Sequence, residues 1–369
     1  MKTIAPKSSK RSRGFTMVEF LVGSSIMLVA VLGALFVYAR SNKVSVEQQM
    51  VTEVQNDVRS SMFFVTRDLR MAGAGLSEEF AGYFIEGQNN EDQGGEVKPD
   101  RVRLMGNLED PLNLPISNYQ GASVTLGVED FSFEQYPYAD AFYADKYVIV
   151  LPNPESGCRL AEVRVVTHIT HSTGGTNEQF NFSPGLAPGV DPPGGLSGTC
   201  ASPNDYDGGT ISFIDVKEYW LDVTGNYPGL TAGVNGYIGG GEGGVLYLTQ
   251  NGVHLPMARN IEDFQVEYNG DMDNDLLLDG WVPWQTTWTV DQIARIQQVR
   301  IWVLGRTAQA FTSVGGRVPG ALNIYRRPAL SDSEALLATV PDDGRRRFLL
   351  ESTSNVRNMS LNLYNLGQR

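Results

Sequence analysis

The stretch with the clearest chemical content runs Asn269-Gly270-Asp271-Met272-Asp273-Asn274-Asp275-Leu276-Leu277-Leu278-Asp279-Gly280. Its carboxylates, Asp271, Asp273, Asp275 and Asp279, fall at loop positions 1, 3, 5 and 9. Alternate spacing of this kind lets a turning loop aim several oxygens at one hard cation. The expected ion is Ca2+, with the Leu277 carbonyl as a further ligand. The pattern departs from an EF-hand in two places: Leu276 stands where that loop has its glycine, and Val282 where it has a bidentate glutamate. A last ligand would come from elsewhere, and Glu267 and Asp291 are the guesses. The competing reading is a solvated acidic turn, since four like charges repel unless they are neutralised or hydrated.

A second carboxylate stands out for the opposite reason. Glu19 lies near the start of an otherwise apolar run, Phe15 to Ala39. An acid at the centre of a bilayer costs on the order of 2.5–3.5 kcal/mol, which makes it a functional-site hypothesis in need of a partner. Three tryptophans, Trp281, Trp284 and Trp288, follow the acidic loop. They read as core cover beneath a long loop in preference to an exposed ligand platform. His168 and His171 stand three apart on or just after a strand, where i and i+3 face opposite ways, which argues against a shared metal. His254 stands alone. No nucleophile elbow, HExxH, P-loop or other catalytic constellation occurs, so no catalytic residues are assigned and no enzyme is expected.

The elements that must position these groups begin with a basic leader. The first 14 residues carry Lys2, Lys7, Lys10, Arg11 and Arg13 and no acid. The whole chain of 369 residues has 29 Lys+Arg against 42 Asp+Glu, a formal charge of −13. Without those five cations the remainder stands at 24 against 42, or −18. An acidic body argues against nucleic acid as a partner. About 24 apolar residues at ~1.5 Å each reach ~36 Å, enough for a hydrocarbon core of ~30 Å. Basic residues ahead of the span predict a cytoplasmic leader and an exported body. Beyond the span, Val37-Tyr38-Ala39-Arg40-Ser41 makes a poor signal-peptidase site, and the small residue that suits a cut is Gly14. In an exported body Cys158 and Cys200 read as one disulfide closing a long loop; in a reducing compartment they would be free thiols.

No proline occurs between Pro6 and Pro99, and Val51, Val54, Val58, Met62, Val65 and Leu69 form one helical stripe. Gly73 and Gly75 supply the stop. The spacing predicts one helix from Phe15 to about Ala72, transmembrane over 15–39 and amphipathic over 40–75. Residues 76–369 form a β-rich body, in which 76–100 is a linker whose acidic stretch Gln88–Glu96, without an apolar residue, is expected to be mobile. Strands are expected at 101–105, 123–126, 146–151, 160–167, 211–223, 245–249, 261–268 and 298–304, separated by Gly/Pro/Asn loops at 185–198 and 236–244. The fold class is α+β: a long helix packed on an antiparallel sheet with long loops.

Gly14-Phe15-Thr16-Met17-Val18-Glu19 with the apolar run behind it resembles the type IV prepilin signal. The resemblance implies that a prepilin peptidase cuts between Gly14 and Phe15 and that the new N-terminus at Phe15 is methylated. It also implies that Glu19, fifth in the mature chain, pairs with the α-amine of a neighbouring subunit. Arg67-Asp68-Leu69-Arg70-Met71-Ala72-Gly73, Val299-Arg300-Ile301-Trp302-Val303-Leu304-Gly305-Arg306 and Arg345-Arg346-Arg347-Phe348 … Val356-Arg357-Asn358-Met359 resemble the PilW-type minor pilins. Those proteins often carry a DxDxD stretch in the region of Asp271. The resemblance covers the first 73 residues well and the C-terminal third in outline. The expectation is a minor pilin of a priming or tip complex in type IV pilus assembly, seated first in a bacterial inner membrane with its globular domain periplasmic, then in a pilus or at the cell surface. Its expected partners are other minor and major pilins, prepilin peptidase and a large tip adhesin. A type II secretion minor pseudopilin and a pilus-displayed adhesin module are the alternatives.

Overall fold

The computed structural model describes residues 15–74, 82, 84–93, 98–107, 113–121, 123–126, 146–158, 161–171, 178–182, 200–239, 243–250, 252–310 and 345–356. The expected leader with Gly14, the glycine loop at 185–198 and the last thirteen residues lie outside that set. One helix, α1, runs Met17–Met71, within a residue or two of its expected bounds. Up to Thr52 it stands as a unit of its own. Its apolar side chains from Phe15 to Tyr38 are exposed all round, and it is long and apolar enough to cross a membrane. From Glu53 it belongs to the globular unit. There Val54, Val58, Met62, Val65 and Leu69 are buried, as their 3–4 residue spacing requires. Each such aliphatic side chain contributes roughly 1.5–3 kcal/mol by leaving water.

Among the described residues thirteen strands form the body: β1 (Ile85–Gln88), β2 (Arg101–Gly106), β3 (Asn113–Tyr119), β4 (Ser123–Leu126), β5 (Tyr147–Leu151), β6 (Glu162–His171), β7 (Glu178–Phe182), β8 (Thr210–Asp222), β9 (Gly244–Gln250), β10 (Val253–Gly270), β11 (Val282–Pro283), β12 (Ile296–Arg306) and β13 (Arg347–Asn355). All pairings are antiparallel, in the order β13-β12-β10-β9-β8, with β2 and then β1 added beside β8. This sheet packs on α1. Phe264 and Val266 of β10, Val299, Ile301 and Val303 of β12, and Leu104 and Leu246 share one core with the helical stripe. Approach is close enough that a Cβ at Gly305 would meet Val54 and Val58 at under 3 Å. At the end of α1, Gly73 takes φ +72 beside the Phe84 ring, so any side chain there is excluded twice over.

A second core was not expected. The first half of β8 pairs with β3 on one side and β5 on the other, while its second half pairs with β2 and β9. From β3 the ladder continues through β4, β7 and β6 to β5 and back to β8. Six strands therefore close into a small barrel with no edge. Its interior holds Leu114, Ile116, Val124, Leu126, Val148, Val150, Val166, Phe180, Phe182, Ile211 and Phe213. One strand of 13 residues thus serves both cores.

The linker expectation also needs correction. Within 76–100 the structure places β1 and a polar segment held by specific bonds. Gln93 donates to the Leu221 carbonyl at 2.6 Å and accepts from Val223 N–H at 3.0 Å. Asp100 accepts from Asn90 N–H at 2.9 Å, and Glu91 pairs with Arg101 and Tyr227. The absence of apolar residues there reflects polar anchoring, which composition alone does not separate from solvation.

Candidate functional site

Thr16 and Glu19 form a capping box at the start of α1. The Thr16 hydroxyl accepts from Glu19 N–H at 3.3 Å, and the Glu19 carboxylate accepts from Thr16 N–H at 2.9 Å and from its hydroxyl at 3.0 Å. The carboxylate therefore has a partner inside its own chain. The sequence signal for it is a threonine three residues before a glutamate at the head of an apolar run. Phe15, beside the expected cut, is 84% exposed.

The acidic loop leaves the end of β10. Asp271 is fully buried, and its two oxygens accept from Asp275 N–H at 2.9 Å and Leu276 N–H at 3.0 Å. Asp273 also accepts from Asp275 N–H at 3.2 Å, and Asp275 accepts from Leu277 N–H at 2.8 Å. Oxygens of Asp271, Asp273 and Asp275 lie within 4.8 Å of one another. Asp279 falls outside that set: its carboxylate caps Met272 N–H at 2.6 Å. Leu276 takes φ +69 at the position where an EF-hand loop has glycine, so the expected departure is one of residue type and not of backbone. Such a conformation costs a non-glycine residue on the order of 1–3 kcal/mol.

Among the described residues no lysine or arginine pairs with these four acids. The Asp273 pKa is raised from its ordinary value by local desolvation and by repulsion from Asp275, Asp279 and Asp271, against the Asp275 N–H that favours the anion. Three convergent carboxylates without a cationic side chain suit a hard divalent cation. Of the guessed extra ligands, Glu267 is committed to Arg300, and Asp291 sits in the first turn of a short helix, α2 (Val290–Ile293).

The tryptophans divide. Trp284 and Trp288 meet edge-to-face at 5.2 Å and both pack on Tyr268 in the core. Trp281 stacks instead on the Arg300 guanidinium, 4.4 Å from its ring centre, with Trp302 on the same guanidinium at 4.6 Å. Among the described residues the His168 ring approaches the Thr170 hydroxyl at 3.4 Å. His254 Nδ1 lies 2.7 Å from the Thr249 hydroxyl, which accepts the Trp220 indole N–H at 2.8 Å. Cys158 and Cys200 form a disulfide with Cα atoms 6.0 Å apart, and Cys200 lies in the barrel core.

Two buried charge networks were missed. Asp68 on α1 is 1% exposed; it accepts from Tyr219 O–H at 2.6 Å and pairs with Lys217 at 3.1 Å and Arg67 at 2.8 Å. Its spacing of three from Val65 and four from Ala72 places it on the buried face, a signal available in the sequence. In the barrel, buried Glu162 pairs with Arg164 at 2.7 Å and with Tyr119. Nothing in the local sequence marks that pair.

Residues 244–358 match the family PilW, type IV Pilus-assembly protein W. The matched span covers β9 to β13 and includes the acidic loop. The pilin-like protein PilA3 of Thermus thermophilus is 40% identical over 62 residues, which is 17% of this chain and 27% of that protein. The chain thus aligns with about a quarter of that relative. A solved type IV-like pilin from Thermus thermophilus aligns with 83% of this chain and 97% of its own at 11% identity and a TM-score of 0.30. At that score the alignment carries no argument about the fold.

Proposed function

We propose that this chain is a minor pilin that takes part in type IV pilus assembly. The observation that carries the reading is the junction at Glu53. One uninterrupted helix is exposed and apolar over its first half and packed as a single stripe beneath a large antiparallel sheet over its second. The PilW match over residues 244–358 supports the same reading from the far end of the chain. In this account residues 15–39 hold the protein in the inner membrane, and the helix later leaves the bilayer for the core of a filament. The β body faces the periplasm and is carried to the pilus or cell surface. Other pilins and prepilin peptidase are the partners, and the tip or priming complex is the place of work.

Hydrolysis of the Gly14–Phe15 bond creates a cationic amine at Phe15, which is then methylated. Two opposite charges at membrane depth attract strongly once they meet. The Glu19 carboxylate, held by Thr16 before cleavage, exchanges that partner for the amine of a neighbouring subunit. Mutation to Glu19→Ala therefore leaves cleavage intact and impairs incorporation into filaments. Normal incorporation of the variant would sink the pairing role. The acidic loop takes Ca2+ in the same account, held by Asp271, Asp273 and Asp275, with the Leu277 carbonyl completing the set and Asp279 ordering the loop.

A further inference from the structure

The two ends of the long sheet are treated differently. One end curls through β8 into the closed barrel and leaves no edge there. The other end is β13, which among the described strands pairs with β12 alone. Its register runs through nine consecutive pairs, Arg347↔Arg306 to Asn355↔Gln298, with no bulge.

The ladder fixes which main-chain groups face outward. Thr307 N–H donates to the Arg346 carbonyl at 2.9 Å, and Val356 N–H donates to the Gln297 carbonyl at 2.9 Å. In an antiparallel pair the residues that exchange hydrogen bonds alternate with residues that do not. Even-numbered residues from 346 to 356 therefore bond to β12. Leu349, Glu351, Thr353 and Asn355 direct their N–H and C=O groups away from it. Among the described residues nothing takes up those eight groups.

Proteins usually blunt such an edge with proline, a bulge, a very short strand or several charges. Here there is no proline and no bulge; of the two charged residues in the strand, Arg347 is buried against Glu262, which leaves Glu351 as the exposed one. The strand is also held in place from its inner face. Phe348 and Leu350 pack on the main core, and the Ser354 hydroxyl reaches the Thr66 carbonyl of α1 at 3.4 Å. A strand anchored on its inner face, with an outer edge that no described residue takes up, is pre-organised to take another strand.

We propose that β13 is a strand acceptor, whose outer edge takes up an extended segment of a different polypeptide bearing a lysine or arginine opposite Glu351. Cross-strand pairs of opposite charge stabilise and like pairs destabilise. A second copy of this chain, paired symmetrically about this edge, would set Glu351 against Glu351, and each copy carries a net charge of −13 over its whole length. Charge complementarity therefore selects a basic strand from another chain. The proposal does not depend on the assembly role.

The test uses the full chain in detergent micelles and a synthetic nine-residue peptide of alternating threonine and valine with a central lysine. Hydrogen exchange reads the amides of Leu349, Glu351, Thr353 and Asn355 directly. The peptide should slow exchange at those four, and its counterpart with central glutamate should bind at least tenfold more weakly. Thr353→Pro removes one outward N–H and no bond to β12, so the fold persists while binding falls tenfold or more. Glu351→Lys should reverse the preference between the two peptides. If Thr353→Pro disturbs the fold, a peptide N-methylated at alternate residues gives the same discrimination from the other side. No protection at the highest soluble peptide concentration would overturn the proposal, as would binding indifferent to Glu351→Lys. Self-association abolished by Thr353→Pro would assign the edge to a second copy and overturn the heterologous partner.

Discussion

Asp68→Ala tests how the helix is fastened to the sheet. The Asp68 carboxylate is 1% exposed and Lys217, on β8, is 8% exposed at its side chain, so the substitution leaves a buried ammonium without its counter-ion. Breaking a buried pair from one side costs about 3–5 kcal/mol. The Tyr219 hydroxyl, pushed well above its ordinary pKa by burial and then by Asp68, also loses its acceptor. Arg67 is 45% exposed and can turn to water, so its share is at most ~1 kcal/mol. These losses overlap, and about 4 kcal/mol is expected in total. For a body of this size that is roughly 10 °C in Tm. Near-UV circular dichroism of the full chain in detergent reads it cleanly, since all five tryptophans lie beyond Glu53. The double variant Asp68→Ala with Lys217→Met should recover most of the loss, because no charge is then left buried. A loss under ~1 kcal/mol for Asp68→Ala, or no recovery in the double variant, would refute the argument.

Three further outcomes are expected. Reducing Cys158–Cys200, which closes a separation of 42 residues, should cost about 4 kcal/mol by loop entropy. Hydrogen exchange should then rise in β4, β6 and β7 and not in β10 or β12; a uniform rise would deny the barrel its own core. Calcium should raise the melting temperature of the full chain, and Asp273→Ala with Asp275→Ala should abolish the shift; no shift in the parent chain removes the calcium site. Burial pushes the His254 pKa below its ordinary 6.5, with Arg101 adding to the shift and Glu218 opposing it. Below that pH the unfolded chain binds the proton more readily than the native one, so stability falls as pH drops through 6.5. His254→Phe should flatten that part of the pH profile, and an unchanged slope would contradict the assignment.

The helix was legible because its evidence is local: a 3.6-residue stripe, no proline, and glycine at the stop. The strands with strong apolar content, β4, β5, β8 and β12, were legible for the same reason. β3 and β7 were not. Asn113-Leu114-Pro115-Ile116-Ser117-Asn118-Tyr119 and Glu178-Gln179-Phe180-Asn181-Phe182 carry too many polar residues and a proline to read as strands. Barrel closure pairs β3 with β8 across about a hundred residues, Asn113 with Ser212, which no local pattern encodes. The acidic loop was legible as a spacing, yet the diversion of Asp279 to the Met272 N–H depends on a turn geometry that spacing does not fix. Glu19 was found through its cost in a membrane. Its capping role is encoded three residues upstream, in Thr16, and not in the apolar run that makes the acid conspicuous.

The most direct test of the account is the mass of the mature N-terminus, taken from protein isolated from its own cells. A chain that begins at Phe15 and carries one added methyl group is the predicted result. A chain that retains the residues before Phe15, or one cut beyond the apolar run near Ala39, would contradict it.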